Sequence, residues 1–165
     1  MQLKNTYTAR DVAALTGLTA RQLQWWDARR LFAPAVAPKR TAAGGFTERR
    51  YTPVDLLELM VLADLRRHGL SVARIRVLLD TLRQRFGVRL FEAIGGAGRL
   101  TLFIDGQDIY ARTESGELYD LFRAPDQPLL VVGANLPLRE LTANTTGRRR
   151  RSKKTLKKSK GGRAG

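Results

Sequence analysis

The sequence is expected to fold as an α+β chain, on three observations. Apolar side chains recur at three- and four-residue spacing between Tyr7 and Arg85. Short runs rich in aromatic and β-branched residues alternate with Asp/Gly turns from Leu100 to Leu136. From Thr145 onward apolar residues almost vanish and Lys and Arg dominate. The division that follows is a helical head over residues 1–86, a small β-rich segment over 87–146 and a disordered basic tail over 147–165.

The head opens with YTARDVAALTGLTARQLQWWDARRL, residues 7–31. Val12, Ala13 and Leu15 share one side of a first helix, and Leu23 and Trp26 anchor a second. Thr8 with Asp11, and Thr19 with Gln22, have the spacing of reciprocal helix caps, in which each side chain satisfies an orphan amide of the other residue. Gly17 falls where the first helix must stop, because glycine enters the left-handed backbone region without steric cost. Two helices at a tight glycine turn read as a helix-turn-helix. The second would present Thr19, Arg21, Gln22, Gln24 and Trp25 near its start, donors and a flat ring suited to phosphates and base edges in a major groove. A plain surface hairpin is the alternative.

After Leu31 the segment FAPAVAPKRTAAGGFTERRYT is basic and punctuated by Pro34, Pro38 and Gly44-Gly45, which forbid a long helix and suit a β-hairpin wing. Its cations Lys39, Arg40 and Arg50 are candidate DNA contacts. Thr52-Pro53-Val54-Asp55 is a helix start, with a cap, a proline in first position and an acid three residues after the cap. The helix it opens is broadly apolar and closes at Arg66-Arg67-His68-Gly69, where cations oppose the negative helix end. His68 is read as a helix-end group. Another helix starts at Ser71 and turns Val72, Ile75, Leu78, Leu79 and Leu82 inward.

Over residues 7–82 the chain resembles the MerR family of bacterial transcription regulators. The resemblance is carried by YTARDVAALTGLTARQLQWWD, by Arg49 and Tyr51 in ERRYTPVDLLEL, and by ADLRRHGLSVARIRVLL. It implies a winged helix-turn-helix that binds double-stranded DNA as a homodimer, with the second helix in the major groove and the wing, with Arg49 and Tyr51 as DNA contacts, on the flanking backbone. It also implies action at promoters through distortion of the DNA between the elements that RNA polymerase contacts. The sequence departs from the family at Gln24, where arginine is usual, and at Trp25-Trp26, where tyrosines are commoner; Trp26 is expected in the core. The wing is also slightly long.

Composition narrows the remaining classes. No apolar run approaches a membrane span of about 20 residues and the start MQLKNTYTAR has no apolar signal core, so a cytoplasmic, nucleoid-associated protein is expected, with no membrane partner. The absence of cysteine excludes disulfides, thiolate metal sites and thiol redox sensing. With one histidine, no phosphate-binding loop and no paired acids on one face, an enzyme is not expected, nor is a metal or cofactor.

Charge is segregated. Residues 1–86 carry 15 basic and 7 acidic side chains, 87–146 carry 5 and 8, and 147–165 carry 10 and none. A basic head, a mildly acidic middle and a basic tail fit a DNA-binding unit, a regulatory or pairing unit and an electrostatic arm. In the middle, Gly87 breaks the helix before LFEAI, and Gly95-Gly96-Ala97-Gly98 lacks the flanking strand and helix of a nucleotide loop. LTLFI, IYART, LYDLF and PLLVVGANL then suggest three or four antiparallel strands, too few to stand alone, packed on the head or on a partner copy. Phe103, Tyr110, Tyr119 and Phe122 are read as the core of this sheet in preference to a ligand pocket. In the tail, Arg148, Arg149, Arg150, Arg151, Lys153, Lys154, Lys157, Lys158 and Lys160 form a nonspecific DNA arm whose affinity falls with salt. Sequence-specific regulation is the leading function. The alternatives are a nucleoid-type architectural protein dominated by its tail and a recombination accessory or interaction module.

Overall fold

The computed structural model describes residues 4–95, 98–130 and 138–142. Each of the four longer helices starts at a hydroxyl cap. β1 (Tyr7–Thr8) runs into α1 (Ala9–Thr16), where the Thr8 hydroxyl accepts from the Asp11 amide and the Asp11 carboxylate accepts from the Thr8 amide, both at 3.1 Å. Those contacts hold the Asp11 carboxyl below its ordinary range, the Thr8 amide first among the causes. Thr19 and Gln22 repeat the arrangement at α2 (Ala20–Ala28). Gly17 joins the two helices at φ +81°.

Past the wing, β2 (Arg50–Tyr51) pairs antiparallel with β1, and α3 (Pro53–Arg67) follows with Pro53 at its first position and Thr52 and Asp55 as reciprocal caps. α4 (Val72–Phe86) starts at Ser71 and stops at Gly87, which takes φ +64°. Two arginines of this second pair close the ends of the first. Arg67 Nη1 donates to the Thr16 carbonyl at 3.0 Å, and Arg76 Nη2 to the Arg29 carbonyl at 2.9 Å. Helix ends leave carbonyls without intrahelical partners, so both contacts satisfy groups that would otherwise need water. Among the described residues no helix is long and apolar enough to cross a membrane.

LFEAI forms α5 (Leu90–Ile94) and leads to a sheet of β3 (Leu100–Asp105), β4 (Asp108–Thr113), β5 (Leu118–Asp120), β6 (Ala124–Leu129) and β7 (Arg139–Glu140). The strand order is β6-β5-β4-β3-β7, antiparallel throughout. That is five strands where three or four are expected from sequence. The strand expected at PLLVVGANL instead begins at Ala124 and ends at Leu129, and residues 131–137 lie outside the described residues. Pro125 and Pro128 hide this strand from pattern reading, because proline has no amide hydrogen for a central ladder, but an outermost strand tolerates it. Asp120 ends β5 by accepting from the Phe122 and Arg123 amides, both at 3.1 Å.

The sheet packs on the head rather than standing apart. One buried cluster joins Val12, Leu23, Trp26, Leu59, Leu62, Ile75 and Leu82 to Leu100, Leu102, Ile104, Ile109 and Ala111. Phe86 meets Tyr119 edge-on at 5.4 Å, Arg85 pairs with Asp126 at 2.9 Å, and Arg74 donates to the Gln107 carbonyl at 2.9 Å. The sheet's own core is thus aliphatic. Of the four aromatics expected there, Tyr119 and Phe122 lie against the cluster, with Arg74 over the Phe122 ring at 4.7 Å. Phe103 and Tyr110 face each other across β3 and β4 outside it, which corrects the expectation for those two.

Two buried acids of α3 fasten the connection after α4 and the start of α5 to the head. Asp55 and Glu58 are 1% and 2% exposed. Arg89, just before α5, reaches both, at 2.7 Å from Asp55 Oδ1 and 2.5 Å from Glu58 Oε1. Asp55 Oδ2 also accepts from the Ala35 and Thr52 amides, and Glu58 Oε2 from the Phe91 amide. Burial raises the Glu58 carboxyl above its ordinary value despite the opposing pull of Arg89. Replacing Arg89 by methionine should therefore lower the unfolding free energy by roughly 2 kcal/mol at neutral pH, less than for a fully buried pair because Arg89 is half exposed. A carboxyl raised in the folded state contributes stability below its unfolded pKa and loses it as pH rises through the folded value. The deficit of Arg89→Met should accordingly shrink toward pH 4. Urea unfolding across pH checks this, and a deficit that grows on acidification would contradict it.

Candidate nucleic-acid interface

Helical periodicity divides α2 cleanly. Leu23 and Trp26 are 1% and 2% exposed and hold the helix to the core. Arg21, Gln22, Gln24 and Trp25 all face outward on the same short helix. Gln22 has two tasks, since its side-chain oxygen accepts from the Thr19 amide at 2.8 Å, leaving the amide nitrogen to point outward. Thr19 likewise spends its hydroxyl on the Gln22 amide, so it shapes the helix start more than it offers a contact. Trp25 is 42% exposed and carries the Arg29 guanidinium over its ring at 4.8 Å, an added cation that the sequence reading does not include.

The wing is a loose hairpin over residues 36–50, beside α2. Val36 and Arg50 exchange backbone hydrogen bonds at its base, and Arg40 opposes Phe46 near its tip. The Lys39 amide donates to the Thr47 hydroxyl at 2.7 Å, and Thr41 closes the turn with Gly45. Lys39, Arg40 and Arg50 are exposed, with Arg50 3.7 Å from Glu48. Arg49 is not free: its Nε donates to Asp27 Oδ2 at 2.8 Å, a partly buried pair that fastens the wing to the C-terminal half of α2. Its primary role in the fold is thus to set the angle between helix and wing.

Tyr51 is a correction. Its side chain is fully buried in the core under β1, so it cannot reach a DNA backbone from the folded wing. Among the described residues its hydroxyl has no hydrogen-bond partner, and burial pushes its pKa up to about 12. The alternation of a two-residue strand explains the difference, because Arg50 faces solvent and the next residue must face inward. The tail residues 148–160 lie outside the described residues.

Between α2 and the wing runs an open cleft of about 600 Å³, walled by Thr8, Ala9, Arg10, Ala20, Gln24, Pro38, Phe46, Thr47, Glu48 and Arg49. Arg10 and Phe46 are additions that the sequence reading does not single out. Arg10 lies in the first turn of α1, beside the cap, and Phe46 near the tip of the wing, where no spacing signal marks either. Phe46 is 71% exposed.

Residues 7–82 match the family model described as MerR HTH family regulatory protein. Relatives from Mycobacterium bovis and Mycobacterium tuberculosis, each described as an uncharacterized HTH-type transcriptional regulator, are 32% identical over 136 residues, 82% of this chain and 56% of theirs. The chain therefore spans a little over half the length of these relatives. A MerR-family transcriptional regulator from Bacillus cereus has a solved structure that aligns with a TM-score of 0.36 and 25% identity, covering 44% of this chain and 50% of that one.

The burial of Tyr51 gives a test that separates packing from contact. Tyr51→Phe removes an unpartnered hydroxyl, so stability should change by less than about 0.5 kcal/mol or rise. In a spectrophotometric titration of the four tyrosines, the step near pH 12 should disappear. A large loss of stability would show that the hydroxyl is bonded after all.

Proposed function

Residues 7–82 are a MerR-family HTH domain, and from that premise we propose that the protein is a sequence-specific transcriptional regulator that binds promoter DNA as a dimer. The observation that carries this reading is the outward face of α2, where Arg21, Gln22, Gln24 and Trp25 stand together while Leu23 and Trp26 lock the helix to the core. A rigid helix with donors on one side can enter a major groove and read base edges, and the exposed wing cations Lys39, Arg40 and Arg50 add backbone contacts beside it. Two copies would read two half-sites about one helical turn apart or more. RNA polymerase at the same promoters is the further partner of this reading, and the tail cations of residues 148–160 add affinity without reading sequence.

One observation favours a second reading. The last 19 residues carry ten cations and no acid, so an architectural protein that binds mainly through its tail has the necessary charge. Selection from random duplex DNA with residues 1–146 distinguishes the two readings. An enriched inverted repeat supports the regulator, whereas no enrichment without the tail supports the architectural protein.

Within the regulator reading, contacts should sort by what they touch. Arg21→Ala and Gln24→Ala should each reduce discrimination between the enriched site and its variants by about 1–3 kcal/mol. Lys39→Ala and Arg40→Ala should weaken all sites alike and lower the salt slope by about one each. Fluorescence anisotropy over a salt series measures both effects, and unchanged discrimination in the α2 variants would remove that helix from recognition. Deleting residues 147–165 should lower nonspecific affinity and flatten the slope further. An unchanged slope would mean that the tail makes no phosphate contacts.

A further inference from the structure

Phe46 stands out on the wing. It is the most exposed aromatic side chain described, at 71%, on a hairpin whose neighbouring residues Lys39, Arg40, Thr41, Thr47, Glu48 and Arg50 are all polar. Among the described residues it belongs to no buried cluster, and its backbone is fixed opposite Arg40. Its position relative to α2 gives it a partner. Phe46 and Gln24 line the same cleft, with Arg10 and Arg49 also on its walls. In duplex DNA a single sugar–phosphate backbone separates the major groove from the minor groove. If α2 occupies the major groove, the backbone it borders runs through this cleft, and whatever stands on the cleft's far wall faces the minor groove. The exposed cations of the cleft and of the wing, Arg10, Lys39 and Arg40, match the negative charge of that backbone. Glu48, the one acid of the cleft, has Arg50 beside it at 3.7 Å.

We propose that Phe46 is a minor-groove contact that packs its ring against sugars and a base step beside each half-site, and so selects for deformable flanking DNA. An apolar side chain pressed into the minor groove partly unstacks a step and opens the groove, and the cost depends on the step. Pyrimidine–purine steps yield easily and G·C-rich stretches resist, so one side chain can impose a preference at positions where no donor reads a base. The contact is apolar and releases no counterions, which separates it from the neighbouring cations.

This inference rests on the proposed DNA-binding function, and the test separates the two. The full chain is titrated onto the half-site enriched from random DNA, prepared with flanks of either TA and CA steps or G·C-rich sequence, across a salt series. The wild-type protein is expected to prefer the flexible flanks. Phe46→Ala should weaken binding to them about tenfold, the scale of one well-packed apolar side chain, with little change on the stiff flanks and an unchanged salt slope. Phe46→Leu should keep most of the preference. Lys39→Ala should weaken both duplexes equally and lower the slope by about one. Equal binding of Phe46→Ala and wild type on both duplexes, or an equal loss on both, would overturn the role of Phe46 while leaving DNA binding intact. Failure of the wild-type protein to select or bind any duplex would instead remove the proposed function, and this contact with it.

Discussion

Two carboxylates one helical turn apart on α3, almost without exposure, share one arginine that is half in solvent. The rest of the structure depends on this arrangement, because burying an acid is costly unless its charge and its lone pairs are met. The groups that meet them come from four separate segments of the chain. The Ala35 amide belongs to the start of the wing, Thr52 to the cap of α3, Arg89 to the connection after α4 and the Phe91 amide to α5. The start of the wing, the central helix and α5 are thereby joined by one set of charges. Arg89 itself is held more firmly protonated: burial opposes its charge, but the bonds to Glu58 and Asp55 outweigh that.

Arginine also does much of the internal work elsewhere, and this changes how the net charge of +15 is understood. Arg49 holds the wing to α2, Arg66 donates to the Leu70 carbonyl, Arg67 and Arg76 close the ends of α1 and α2, and Arg74 holds the turn between β3 and β4. A guanidinium can meet a carbonyl while keeping its charge at the surface, so these residues serve both fold and field. The charge presented for short-range contact in the head is nevertheless a subset, centred on Arg10, Arg21, Lys39, Arg40 and Arg50.

The head was legible because its signals are local. A threonine followed three residues later by Asp or Gln specifies a helix start at Thr8, Thr19 and Thr52, and the structure has a reciprocal cap at each. Gly17 and Gly87 stop helices where the backbone turns left-handed. The outward set on α2 followed from period alone. What sequence could not supply was non-local. Nothing in the spacing of Asp55, Glu58 and Arg89 marks them as partners across 31 to 34 residues, and Arg49 appears as a free cation until Asp27 is placed beside it. Tyr51 reads as a wing residue by position, whereas its pairing with Tyr7 turns it inward. The strand at Ala124–Leu129 was concealed by its prolines, and the sheet's aliphatic core by aromatics that drew attention to its other face.

Those prolines bear on how copies of the chain can associate. β6 forms one rim of the sheet, and Pro125 and Pro128 leave two of its six residues without an amide hydrogen, while Asp126 between them is tied to Arg85. An incoming strand would find an interrupted row of donors and a fixed charge in its path. This rim is thus a poor template for sheet extension. A contact between copies across this rim would therefore rest on side-chain surfaces and not on a backbone ladder.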